Sequence, residues 1–235
     1  MEEIALELKN LNKQFKNQSI LSDFSCKIPQ NKIVALIGRN GAGKTTLLKL
    51  LAGNEELDSG GIIYQGIRLK TTEDRFQKIL FLGDEKILVP ELSGEEHLLL
   101  FANPQMKERQ EKLIAYFAME SFLKKKVREY SLGMRQLLLI LLSIVSISEV
   151  LLFDEVLNGL DTLNAKKVLN VLGQLKREKL IIISSHQLQE LQEKSDYVLF
   201  FHKEKLELFK NTQGLSLKEL LLESMGGFDE TDFQL

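Results

Sequence analysis

The chain has 235 residues, of which 44% are hydrophobic and 27% charged. That is enough apolar material for one sizeable core, and it excludes a disordered chain. The formal charge of −2 argues against a dedicated nucleic-acid binder, and the single Cys26, with no partner for an internal disulfide, fits a reducing compartment.

The N-terminal stretch MEEIALELKNLNKQF alternates charged and apolar residues and lacks the apolar centre of a signal peptide. Short β-branched or aliphatic runs predict strands at 4–8, 33–37, 79–82, 150–153, 180–184 and 197–201. Helical patterns lie between them: after Gly43, then at 94–102, 105–120, 162–178 and 187–194. Strands that alternate with helices predict a mainly parallel sheet covered on both faces. From 84 to 147 the pattern is helical throughout, so a helical subdomain is expected there. It would be inserted into a core formed by 1–83 and 148–215, with a last helix and an acidic tail over 216–235. The basic run LKKKVRE (123–129) reads as a solvated face.

The stretch YSLGMRQLLLILLSIVSISEVLLFDE, from Tyr130 to Glu155, is almost wholly apolar between Gln136 and Asp154. Its clean apolar run would span only about 18 Å as a helix, against about 30 Å for a bilayer core. An extension takes in Glu149 and then Asp154 and Glu155, which are costly in lipid. The stretch therefore predicts a buried helix that starts just after Ser131, followed by a buried strand.

IVALIGRNGAGKTTLLKLLAG carries the pattern G-x-x-x-x-G-K-[ST], with Gly38, Gly43, Lys44 and Thr45 in place. It follows a predicted strand and opens a helix, the setting in which backbone N–H groups and a helix N-terminus cradle phosphate. Lys44 can reach the β- and γ-phosphates, and Thr45 can ligate Mg²⁺. Asp154 ends a buried strand, where it can hold Mg²⁺ through water. Glu155 follows it and can orient or deprotonate an attacking water.

Together these features resemble the ATP-binding cassette of ABC transporters, from about residue 4 to 212. Phe15 matches the aromatic that stacks on adenine. Gly38, Arg39, Asn40, Gly41, Ala42, Gly43, Lys44, Thr45 and Thr46 match the Walker A loop. YSLGMRQ matches the signature that acts in trans, with Ser131 and Gly133 at the two positions that touch phosphate and Met134 beside them. VLLFDE matches Walker B, NGLD matches the D-loop with Asp161, and His186 matches the switch histidine. The fold implied is a P-loop NTPase core, a mainly parallel sheet with a smaller antiparallel part, plus an inserted helical subdomain.

The resemblance implies ATP and Mg²⁺ as ligands, with Glu155 and His186 catalytic. It also implies a second cassette as partner, in a homodimer or heterodimer, because each ATP lies between one chain's phosphate loop and the other's signature. An integral membrane permease is implied as a further partner, with this chain cytoplasmic and peripheral on the inner face of the membrane. A narrower similarity is to cassettes of bacterial drug or bacteriocin export and immunity systems. Asp84 stands where the family has Gln and is expected beside the metal. Val156 replaces the usual Pro, and Tyr130, Leu132 and Met134 depart from the usual signature. A regulatory cassette that binds ATP and hydrolyses it slowly is the alternative. A soluble phosphoryl transferase fits poorly, because it would not need the Ser131-x-Gly133 element or NGLD.

Overall fold

The computed structural model describes residues 2–16, 18–83, 87–185, 188–202, 205–211 and 216–224. At its centre are three strands with almost no polar side chains: β3 (Ile33–Gly38), β7 (Val150–Asp154) and β8 (Leu180–Ser184). They belong to a six-stranded sheet with β6 (Ile79–Leu82), β9 (Tyr197–His202) and β10 (Lys205–Lys210), in the order β10-β9-β3-β8-β7-β6. Every pairing is parallel except β9 with β10.

Each central strand divides its side chains between two cores. Val34, Leu36, Val150, Leu152, Leu180 and Ile182 face one. Ile33, Ala35, Ile37, Leu151, Phe153, Ile181 and Ile183 face the other. That is the period-two alternation of a pleated strand with both faces covered.

The first core is closed by α1 (Lys44–Ala52) and a second, antiparallel sheet. That sheet has the order β2-β1-β4-β5, from β1 (Ile4–Phe15), β2 (Gln18–Pro29), β4 (Ser59–Tyr64) and β5 (Ile67–Leu69). The second core is closed by helices. Between β6 and β7 run α3 (Gly94–Phe101), α4 (Lys107–Tyr116) and α5 (Leu132–Ile144); α2 (Thr72–Lys78) precedes β6. After β7 come α6 (Thr162–Leu175), α7 (Leu188–Lys194) and α8 (Leu217–Ser224). Leu137 to Ile144 of α5 are all buried, so the apolar run is the centre of the second core. No helix among the described residues is long and apolar enough to cross a membrane.

The expected α/β class, with a mostly parallel sheet and a smaller antiparallel one, is what forms. One expected element is broken. The helix read over 105–120 is α4 flanked by two 3₁₀ turns, because Ala118 takes a left-handed conformation at φ 52° and ends it. His97 is structural: it is fully buried, and its ring nitrogens meet the carbonyl of Ser93 at 2.7 Å and the N–H of Val89 at 2.9 Å. Cys26 is partly buried, and burial pushes its thiol up to about 12, which makes it inert.

Lys179, just before β8, ties that strand to the link between α5 and β7. Its ammonium donates to the carbonyls of Ser146 (2.9 Å) and Ser148 (2.7 Å) in the link between α5 and β7, and it is buried. Burial, aided by Arg109, lowers its pKa from 10.5 to about 8. The folded protein thus binds fewer protons than the unfolded chain above about pH 8, so this group's contribution to stability rises with pH. Urea denaturation of wild type and Lys179→Met, compared from about pH 7 to about pH 10, should show wild type gaining about 2–3 kcal/mol relative to the variant. A constant difference would mean that Lys179 titrates normally.

Candidate functional site

The phosphate loop runs from the end of β3 to the start of α1. Gly43 sits there at φ 107°, a left-handed value that glycine tolerates, and an added Cβ would lie 2.6 Å from Ile20 Cγ2. Helices α2, α3, α5 and α6 each begin with a side chain that accepts from their first turn: Thr71, Ser93, Ser131 and Asp161. Helix α1 has no such cap and no acidic residue in its first turn. Its leading N–H groups are therefore left for an anion. Lys44 folds back on the loop, donating to the carbonyls of Gly38 (2.8 Å) and Arg39 (3.1 Å). Burial pulls the Lys44 pKa down, and Glu155 and Asp154 push it back up.

Opposite the loop, Asp154 is gripped from both sides. Thr45 Oγ1 donates to its Oδ2 at 2.5 Å, and Ser184 Oγ donates to its Oδ1 at 2.7 Å. Glu155 follows in a left-handed conformation at φ 54°. Its N–H donates to Ser184 Oγ (3.0 Å) and to the Ser184 carbonyl (3.2 Å). Asn158 Nδ2 donates to Glu155 Oε2 at 3.3 Å.

One cavity of about 510 Å³ collects most of the residues predicted to bind nucleotide. Phe15 and Ile20 line it beside Asn40, Gly41, Gly43, Lys44, Thr45 and Thr46, with Asp154 and Glu155 opposite. Gly38, Arg39 and Ala42 belong to the same loop, the first two through the carbonyls that hold Lys44. Phe15 is 41% exposed, so its ring is open to a stacking partner. The Lys13 ammonium lies 4.6 Å from its centroid, held by Glu55 Oε1 (3.0 Å) and the Glu56 carbonyl (2.8 Å). A smaller cavity of about 250 Å³ reaches Asp154 and Glu155 from the side of α5, past Leu132 and Gln136.

The signature and D-loop residues do not line the larger cavity. Ser131 caps α5, its Oγ accepting from Met134 N–H at 3.3 Å. Asp161 caps α6, accepting from Asn164 N–H (2.9 Å) and from Asn164 Nδ2 (2.7 Å). Ser131 and Asp161 are both exposed. Gly133 lies against the loop between β7 and α6: a Cβ there would stand 2.9 Å from the Gly159 carbonyl oxygen. Asp84 and His186 lie outside the described residues.

A family model described as ABC transporter matches residues 21–158. The chain belongs to the ABC transporter family. It is 32% identical over 219 residues to the lantibiotic transport ATP-binding protein SrtF of Streptococcus pyogenes, covering 92% of this chain and 95% of that one. A solved ATP-binding subunit of an ABC transporter superposes with a TM-score of 0.84 at 27% identity, covering 94% of this chain and 99% of the other. A dimeric ATP-binding cassette in a post-hydrolysis state with ADP and Pi shares the fold, at a TM-score of 0.76 and 20% identity over 88% of this chain and 99% of that one.

In this ABC ATPase Ser184 touches both Asp154 and Glu155, yet LIIIS reads in the sequence only as a strand, because a serine at a strand end carries no spacing signal of its own. Lys44 is the one ammonium among the described residues that line the cavity. Lys44→Ala should weaken a fluorescent ATP analogue by about 30-fold or more, the cost of leaving a buried charge unpaired. A change of less than about threefold in the titration would move the nucleotide away from this loop.

Proposed function

We propose that this chain is the ATP-hydrolysing subunit of a transporter whose membrane-spanning permease is a separate polypeptide, and that two cassettes sandwich two ATP molecules between them. The observation that carries this reading is a division of parts. Lys44, Thr45, Asp154 and Glu155 line one cavity, whereas Ser131 and Gly133 lie outside it. A site that needs both sets is completed by a second chain.

The uncapped start of α1 and the amides around Gly41 and Gly43 receive the β- and γ-phosphates, and Lys44 leaves the loop carbonyls to pair with them. Thr45 and Asp154, already hydrogen-bonded to each other, would hold Mg²⁺, with Asp84 as a third residue beside it. The metal, once bound, neutralises charge on the phosphate oxygens. Phe15 stacks on adenine. Glu155 takes a proton from the water that attacks the γ-phosphorus as the bond to the bridging oxygen breaks, and His186 contacts the γ-phosphate. Across the interface, the N-terminus of α5 with Ser131, Gly133 and Met134 faces the partner's γ-phosphate, and Asp161 reaches the partner's loop. The chain would then be peripheral on the inner face of the membrane, held there by its permease. The similarity to a lantibiotic transport protein supports export or immunity toward antibiotic peptides.

Glu155→Gln tests the reading. The variant should bind ATP and lose hydrolysis by about 100-fold or more. Light scattering with Mg-ATP should show its mass moving from 26.9 kDa to twice that value. Unaltered steady-state hydrolysis in Glu155→Gln would instead favour the regulatory cassette, beside a partner that does the chemistry.

A further inference from the structure

Ser184 is fully buried and does not line the nucleotide cavity, yet it touches both acidic residues that do. Its position follows from the sheet. Strands β7 and β8 are parallel neighbours with Asp154 opposite Ser184. Val150 and Leu152 point to the α1 side, as do Leu180 and Ile182. The period of two therefore sends Asp154 and Ser184 to that same side, toward the phosphate loop.

A serine hydroxyl has one proton to give and lone pairs that accept. Here the proton goes to Asp154 Oδ1 at 2.7 Å, and a lone pair takes the Glu155 N–H at 3.0 Å. The first bond sets the rotation of the Asp154 carboxylate and leaves Oδ2 turned to Thr45. The second supports the left-handed backbone of Glu155, a conformation that non-glycine residues rarely adopt without help. One hydroxyl thus orients the Asp154 carboxylate and braces the backbone of Glu155, whose N–H it shares with the Ser184 carbonyl at 3.2 Å. Alanine would keep the packing almost unchanged and lose both hydroxyl bonds, leaving Asp154 Oδ1 without this donor.

We propose that Ser184 is a positioning residue, whose hydroxyl presents the Asp154 carboxylate to the metal and holds the Glu155 backbone so that its side chain meets the attacking water. The proposal rests on the ATPase reading of the same site. It predicts a particular split. Nucleotide affinity without Mg²⁺ depends on the loop and Phe15 and stays as in wild type. The metal-dependent part of binding, and the rate, both suffer.

The experiment uses the full chain as wild type, Ser184→Ala and Ser184→Thr. A fluorescent ATP analogue is titrated in EDTA and then, at fixed analogue, with Mg²⁺; kcat and KM for ATP are measured alongside. Ser184→Ala should bind the analogue in EDTA within about twofold of wild type, require about 10-fold more Mg²⁺ for half-saturation, and lose about 10- to 100-fold in kcat, the range for a hydrogen bond to a charged group. Ser184→Thr, which keeps the hydroxyl, should return both quantities to within about threefold of wild type. Unchanged Mg²⁺ dependence in Ser184→Ala would overturn the proposal, and so would a Ser184→Thr protein that binds in EDTA yet behaves like Ser184→Ala. Binding in EDTA reports that each variant is folded. If wild type hydrolyses no ATP, the ATPase reading fails, while the Mg²⁺ titration still decides the role of Ser184.

Discussion

A sheet buried on both faces gives its strands no room for polar side chains along their length. In β3, β7 and β8 the residues that are not aliphatic or aromatic are pushed to the last position: Gly38, Asp154 and Ser184. Because the three strands are parallel, those last positions fall on one edge. Helix α1 starts at the same edge, and the chemistry of the protein gathers there because the interior excludes it. The phosphate loop, Asp154, Glu155 and Ser184 beneath them are all placed by that exclusion.

The same constraint decides what could be read from the sequence. Strands with two buried faces are continuous aliphatic runs, and β3, β6, β7, β8 and β9 were legible as such. Of the strands with one wet face, only the start of β1 was. In β2, buried Ile20, Phe24 and Ile28 are interrupted by exposed Asp23, Ser25 and Lys27. β4 opens on Ser-Gly-Gly, and β10 is short and carries lysine at both ends. Helix α2 buries none of its side chains, so it has no apolar face to give it a period. The phosphate loop was legible because its parts are contiguous in the chain at fixed spacing. The pairing of Thr45 with Asp154 needed the strand context, and the signature needed the resemblance to a family. Ser184 was invisible because its meaning comes from lateral pairing, which leaves no trace in linear spacing.

The leucine-rich helix α5 shows how one segment serves two ends. Its C-terminal two-thirds, from Leu137 on, are buried in the core that the six-stranded sheet shares with α3, α4 and α6. Its first turn emerges at the surface with Ser131 exposed. The apolar body anchors that turn to the six-stranded sheet, where it packs on β6. Val156, where the family has proline, is buried in the same core and is accounted for by packing alone.

The approach of Gly133 to Gly159 has a consequence for how two chains recognise each other. No side chain separates the start of α5 from the loop that leads to Asp161, and Leu132 lies over Gly159 as a cover. The two elements form one continuous surface. In the proposed pair of cassettes, a partner that meets one of them would meet the other, so the two footholds would act as one grip.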